Sequence, residues 1–150
     1  MNARQLLSRL PERLATGAFV LHSGLQKWKG DEQTAQGLHG MASGTYPFLA
    51  KLAPTTFLRL LATVEITTGL ALLVPFVPRV LAGALLTGFS GGLMGLYLKT
   101  PGLREPGSLA PTPDGLGIAK DVWLLGVGTS LVLDGILSPA EARGRKELTR

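Results

Sequence analysis

Nineteen consecutive residues, Val80 to Leu98, contain no Asp, Glu, Lys or Arg. As a helix this stretch is roughly 28 Å long at 1.5 Å per residue, close to the ~30 Å hydrocarbon core of a bilayer. It has no face to offer water, which argues against a soluble bundle. Three other stretches share its character. Phe57 to Phe76 is interrupted only by Arg59 and Glu65, and Gly117 to Leu137 by Lys120, Asp121 and Asp134. The weakest runs from about Leu10 to Trp28 and includes Glu12, Arg13, His22, Gln26 and Lys27. A cleaved leader fits it poorly, because His22 interrupts the apolar core and no small-residue cleavage site follows. Backbone polar groups facing lipid need partners within their own segment, so each stretch is expected to be a helix.

The expected fold is therefore all-α, a four-transmembrane-helix antiparallel bundle with spans at about 10–28, 57–76, 80–98 and 117–137. All of it is expected to form a single integral membrane domain over residues 1–150. The short turn from Pro75 to Arg79 forces the middle spans into a hairpin. Lys29 to Thr56 is long enough for an amphipathic segment lying at the interface, and Lys99 to Leu116, rich in Pro and Gly, reads as an extended cap. Both long connections then lie opposite to both termini. Basic residues near span ends number eight on the terminal side and five on the other, with Arg59 and Lys120 just inside spans. That balance favours cytoplasmic termini.

Composition narrows the chemistry. Charged residues make up 17% of the chain against about 25% in soluble domains. The net charge of +5 does not point to nucleic acid, because the basic residues sit at the ends of apolar runs and form no stripe. With no cysteine, the chain has no thiol–disulfide chemistry or Cys-held metal cluster of its own. His22 and His39 make a poor haem pair, no carboxylate cluster has metal spacing, and no catalytic residue stands out. Trp28, Tyr46, Tyr97 and Trp123 are placed as an interfacial aromatic belt.

Depth along each span sorts the polar residues. Gln26, Lys27, Arg59, Lys120 and Asp121 fall roughly 10–12 Å from the middle on the long-loop side. Arg13, Arg79 and Asp134 fall near the terminal side, and His22 and Glu65 lie within ~3 Å of one height near the centre. A charge in hydrocarbon costs ~2.5–3.5 kcal/mol on insertion scales, so each is expected to find a partner. His22 and Glu65 are expected to share a polar pocket, and two readings of it stay open. The pair holds or passes a proton near neutral pH, or Glu65 bonds a neighbouring hydroxyl or carbonyl and only fixes packing. The outer group reads as a vestibule for an anionic or quinone-like head group. Its plainer reading has Lys27 and Arg59 snorkelling and Asp121 in the first turn of a helix. Asp134 is expected to form a structural ion pair with Arg13 or Arg79.

The third span repeats small residues every fourth position at Gly83, Thr87, Gly91 and Gly95, with Gly88 and Gly92 forming an adjacent row. Such rows let helix backbones approach closely, within the bundle or in a homo-oligomer.

The stretches HSGLQKW, EITTGLALLVPFVPR and LVLDG, with the long segment GLYLKTPGLREPGSLAPTPDGLGIAKDVWLLGVG, resemble the DoxX family, in particular its actinobacterial-type members. The resemblance covers nearly the whole chain. It implies a four-helix protein of the bacterial plasma membrane, with Glu65, Lys120, Asp121 and Asp134 at family polar positions and no established catalytic residue. Some relatives are small subunits of membrane oxidoreductases, including a thiosulfate:quinone oxidoreductase, and others join superoxide dismutase and sulfurtransferase-like proteins in assemblies. The expected function is an accessory or anchoring subunit of a membrane redox complex, with soluble redox proteins as partners and no catalytic activity of its own. A quinone-reactive subunit and a small transporter or proton-conducting bundle are the alternatives. Quinone is the one cofactor left open.

Overall fold

A computed structural model describes residues 3–147, with side chains over residues 10–137. The described residues are all helical apart from turns and one isolated bridge between Arg104 and Pro111. Helix α1 covers Ala3–Trp28, α2 Glu32–Thr45, α3 Pro54–Leu73, α4 Arg79–Lys99, α5 Leu116–Ala119 and α6 Val122–Glu147. A single 3-10 turn, Pro47–Lys51, joins α2 to α3.

The ends follow from local chemistry. Pro54 opens α3 at a position where its missing N–H is no loss. Pro75 closes it by pushing Val74 out of helical backbone. The fourth expected span is interrupted by a turn at Lys120 and Asp121 that separates α5 from α6, while Leu116–Leu137 as a whole stays long and apolar enough to cross a membrane. Asp31 caps α2, accepting from the backbone N–H and hydroxyl of Thr34 at 2.9 and 2.7 Å, and these bonds hold its carboxyl below the usual range.

Among the described residues, three segments are long and apolar enough to cross a membrane: Pro54–Leu73, Arg79–Lys99 and Leu116–Leu137. Their outer faces keep large apolar side chains exposed, among them Leu60, Leu81, Leu133 and Ile136, as a lipid-facing surface requires.

The helices associate as two antiparallel pairs. In the first, α1 runs against α3, with Gly17 beside Leu72, Gly24 beside Glu65 and Ile66, and Gly30 beside Leu58. In the second, α4 runs against α6, with Val80 beside Gly135, Gly83 beside Leu131 and Thr87 beside Gly128. The α3–α4 hairpin joins the pairs, and a core of Val20, Ala71, Leu72, Ala82, Leu86 and Leu131 fills the end nearest it. Toward the other end the pairs diverge, and α2 lies across the gap, tied to α4 by Tyr46, whose hydroxyl donates to the Gly92 carbonyl at 2.9 Å.

The connection after α4 is an extended cap. Gly102 and Gly107 take positive φ there, which favours glycine. Tyr97 donates to the Leu109 carbonyl at 2.6 Å, and Arg104 to the Leu98 carbonyl at 2.7 Å.

The small-residue rows are used unequally. A Cβ on Gly83 would sit 2.7 Å from the Gly128 carbonyl oxygen, and one on Gly69 2.6 Å from the Leu21 backbone nitrogen. Gly88, Gly91 and Gly92 have open space at that position, and Gly95 faces the Tyr46 ring. Gly69→Ala and Gly83→Ala are therefore expected to destabilise by about 1–3 kcal/mol through overpacking. Gly88→Ala and Gly91→Ala should stay within about 0.5 kcal/mol of the wild type. Thermal aggregation midpoints in detergent check this, and an equal loss at Gly88 would mean that another surface covers that face.

Candidate functional site

Side-chain direction on helices builds the site. A Cα–Cβ bond tilts toward its helix's N-terminus, so long side chains lie back along the preceding turn. Lys27, at the C-terminal end of α1, therefore leans inward toward the bundle middle. Glu65 runs on an antiparallel helix and leans the opposite way, so the two converge. Lys27 Nζ lies 3.0 Å from Glu65 Oε1 and 3.1 Å from Oε2, and also donates to Ser23 Oγ at 2.7 Å. The Glu65 side chain is 3% exposed and that of Lys27 23%.

This corrects the expected His22–Glu65 pocket. The buried or half-buried stripe of α1 that meets α3 passes through Arg13, Gly17, Val20, Gly24 and Lys27. His22 is two residues from both Val20 and Gly24, on the far side of the helix, and is exposed. Equal depth did not imply a shared face, and the cation that reaches Glu65 is a flexible lysine from one turn further along.

The ion pair opens on a cavity of about 340 Å³ between the helix pairs. Its polar wall is Ser23, Lys27, Glu65, Lys120 and Asp121; its apolar wall includes Phe19, Phe57, Phe89 and Leu124, and Leu38 and Met41 of α2 roof it. The roof is held by His39, whose Nε2 is 2.9 Å from the Leu49 carbonyl oxygen and whose ring meets Phe57 edge-on at 5.5 Å.

The expected vestibule is only partly assembled. Lys27, Lys120 and Asp121 line the cavity. Gln26 and Arg59 are exposed and do not line it. Arg59 instead packs over the Trp28 ring, 4.9 Å from its centroid, and donates to the Trp28 carbonyl. It thus closes the end of α1.

On the opposite side Arg79 pairs with Asp134. Arg13 does not join them as an ion-pair partner. It is 6% exposed, and its guanidinium donates to the carbonyls of Leu72 at 2.8 Å, Ala71 at 2.9 Å and Val74 at 2.9 Å. Ser23 and Arg13's capping role escaped the sequence reading. The four-residue spacing of Ser23 and Lys27 on one face was the available signal for the first. The second follows from Pro75, which has no N–H for the Ala71 carbonyl.

No group of three or more His, Asp or Glu among the described residues has the geometry of a metal site. What the fold and cavity define is a helical membrane protein with a partly buried ion pair facing an apolar chamber. The family model for DoxX matches residues 8–94, and the chain belongs to the DoxX family. The matched region holds Lys27, Glu65 and Arg79 and ends before Lys120, Asp121 and Asp134, so it is shorter than the near-complete resemblance expected. Neither curated proteins nor solved structures gave a match.

Proposed function

We propose that the chain is an accessory integral membrane subunit of a redox assembly, contributing a binding chamber for a small lipid-soluble molecule instead of redox-active side chains of its own. The observation that carries this reading is the Lys27–Glu65 pair, its carboxylate buried and its ammonium partly so, facing a largely apolar cavity of about 340 Å³. A charge pair at such depth is expensive to hold, and intramembrane ionisable residues mark ligand or ion sites by default. The absence of cysteine and the family's association with redox complexes supply the rest. Soluble redox proteins are the partners this reading calls for.

The same cavity favours a second reading, a quinone-reactive subunit. Lys27 and Lys120 offer donors to a quinone oxygen, and Asp121 offers an acceptor to the reduced form. His22 has no part in it. Purification of the assembly from native membranes tests both readings. A co-purifying soluble oxidoreductase with an extractable lipophile supports the first, and turnover of an added quinone by the assembly supports the second. Proton or solute flux through the chain alone in liposomes would speak for a transporter instead.

The reading places four helices in the bacterial plasma membrane. That α1 lies antiparallel along α3 from Gly17 to Gly30, at the depth of a crossing α3, supports reading it as the fourth span. Basic residues at the hairpin and termini put these on the cytoplasmic side. A cysteine at Ser108, in the exposed cap, is expected to label with an impermeant thiol reagent in intact cells. One at Phe76, 91% exposed in the hairpin turn, should label only after lysis; the reverse pattern would invert the topology.

A further inference from the structure

A second space adjoins the chamber. Among the described residues α1 and α6 do not pack closely on each other, and between them lies a slot of about 390 Å³. Ala15, Thr16 and Phe19 form one wall, and Trp123, Leu124 and Val127 the other. Phe19, Lys120, Asp121 and Leu124 line both slot and chamber, so the two spaces meet at these residues. Phe19 is 55% and Trp123 74% exposed, so the slot faces outward from the helices, where the hydrocarbon lies.

Asp121 stands at the junction. Its carbonyl starts α6, accepting from the Leu124 and Leu125 N–H groups at 3.0 and 3.3 Å. An aspartate in that place ordinarily turns its carboxylate onto the first-turn amides. Here no donor among the described residues hydrogen-bonds the carboxylate, which is half-buried and lines both spaces. Its charged neighbours are Lys120, Lys27 and Glu65, and Lys27 already donates to Glu65 and Ser23. The group left over is therefore an acceptor in a region where an unbonded charge is costly.

We propose that the α1–α6 slot is a lateral entrance and seat for a single-chain lipophile with a hydroxyl head. The chain lies between the helices and the O–H donates to Asp121. An anionic head is disfavoured by the two carboxylates, Glu65 and Asp121, and an ammonium head by the two lysines beside them. A hydroxyl donates to Asp121 and can accept from Lys120 without adding charge. This inference rests on the chamber being a binding site for a lipid-soluble molecule.

The full chain carrying Trp28→Phe retains Trp123 as its one tryptophan. In phosphatidylcholine nanodiscs it is titrated with hexadecanol bearing a dibrominated tail and, separately, with the methyl ether of that alcohol, which accepts but cannot donate. The alcohol is expected to quench Trp123 saturably and to bind about tenfold or more tighter than the ether, the scale of one hydrogen bond to a charged group. Asp121→Leu should bring the alcohol down to the ether's level. A bulky maleimide on a cysteine at Thr16 should abolish the saturable quench, whereas one at His22, on the outward face, should not. Quenching that rises linearly for both compounds, or saturates equally for both with Asp121 in place, overturns the proposal. The reading of the chamber fails separately, when the native assembly yields neither partner nor lipophile.

Discussion

Arg13→Ala is expected to lower stability by roughly 3 kcal/mol or more, seen as a large fall in the thermal aggregation midpoint in detergent. The reason lies in the end of α3. The last carbonyls of a helix have no intrahelical partner, and here the fourth residue after Ala71 is Pro75, which has no N–H to give. Water is a poor substitute at this place, since Ala71 is 8% and Leu72 1% exposed. The Arg13 guanidinium supplies both donors from the neighbouring helix, and reaches the Val74 and Val77 carbonyls of the turn as well. Removing it leaves buried acceptors bare and also loosens α1 from α3, because no other side chain hydrogen-bonds these carbonyls among the described residues. Arg13→Lys should recover only part of the loss, since an ammonium lacks the planar fork that serves several carbonyls at once. An unchanged midpoint for Arg13→Ala would mean that the hairpin carbonyls are hydrated.

This arrangement shows where sequence reading reaches its limit. Hydropathy made the helices legible, because a charge-free run such as Val80 to Leu98 has one solution in lipid. The hairpin was equally legible from Pro75 and Pro78. The partners of the polar residues were not, for two physical reasons. Depth places residues on a common plane but leaves rotation about each helix axis open, so His22 and Glu65 share a height and face different surroundings. Side chains of Lys and Arg also reach several ångströms along the axis, so Lys27 meets Glu65 from a turn away and Arg13 meets carbonyls instead of a carboxylate. Spacing carried part of the missing rotation: Arg13, Gly17, Val20, Gly24 and Lys27 step by four and three along one stripe. The break at Lys120 and Asp121 had no such signal. It sets Asp121 at the start of α6, where its carboxylate caps no first-turn amide among the described residues.

The ion pair itself separates a structural role from a functional one. Lys27→Met leaves Glu65 buried without its partner, and Glu65→Leu does the same to Lys27; either is expected to cost roughly 3–5 kcal/mol in the thermal midpoint series. The double variant Lys27→Met, Glu65→Leu removes both charges and both desolvation penalties, and should return to within about 1 kcal/mol of the wild type, since apolar replacements of buried pairs are often neutral or better. The coupling energy from this cycle measures the pair directly. If the pair serves only packing, the double variant is both stable and functional, retaining its lipophile and its partner in the native assembly. If it serves the chamber, the double variant is stable but loses occupancy, because the polar wall opposite Phe57 and Phe89 keeps only Ser23, Lys120 and Asp121. Stability without occupancy is the expected result, and a double variant that keeps its lipophile would reduce Lys27 and Glu65 to a structural tie.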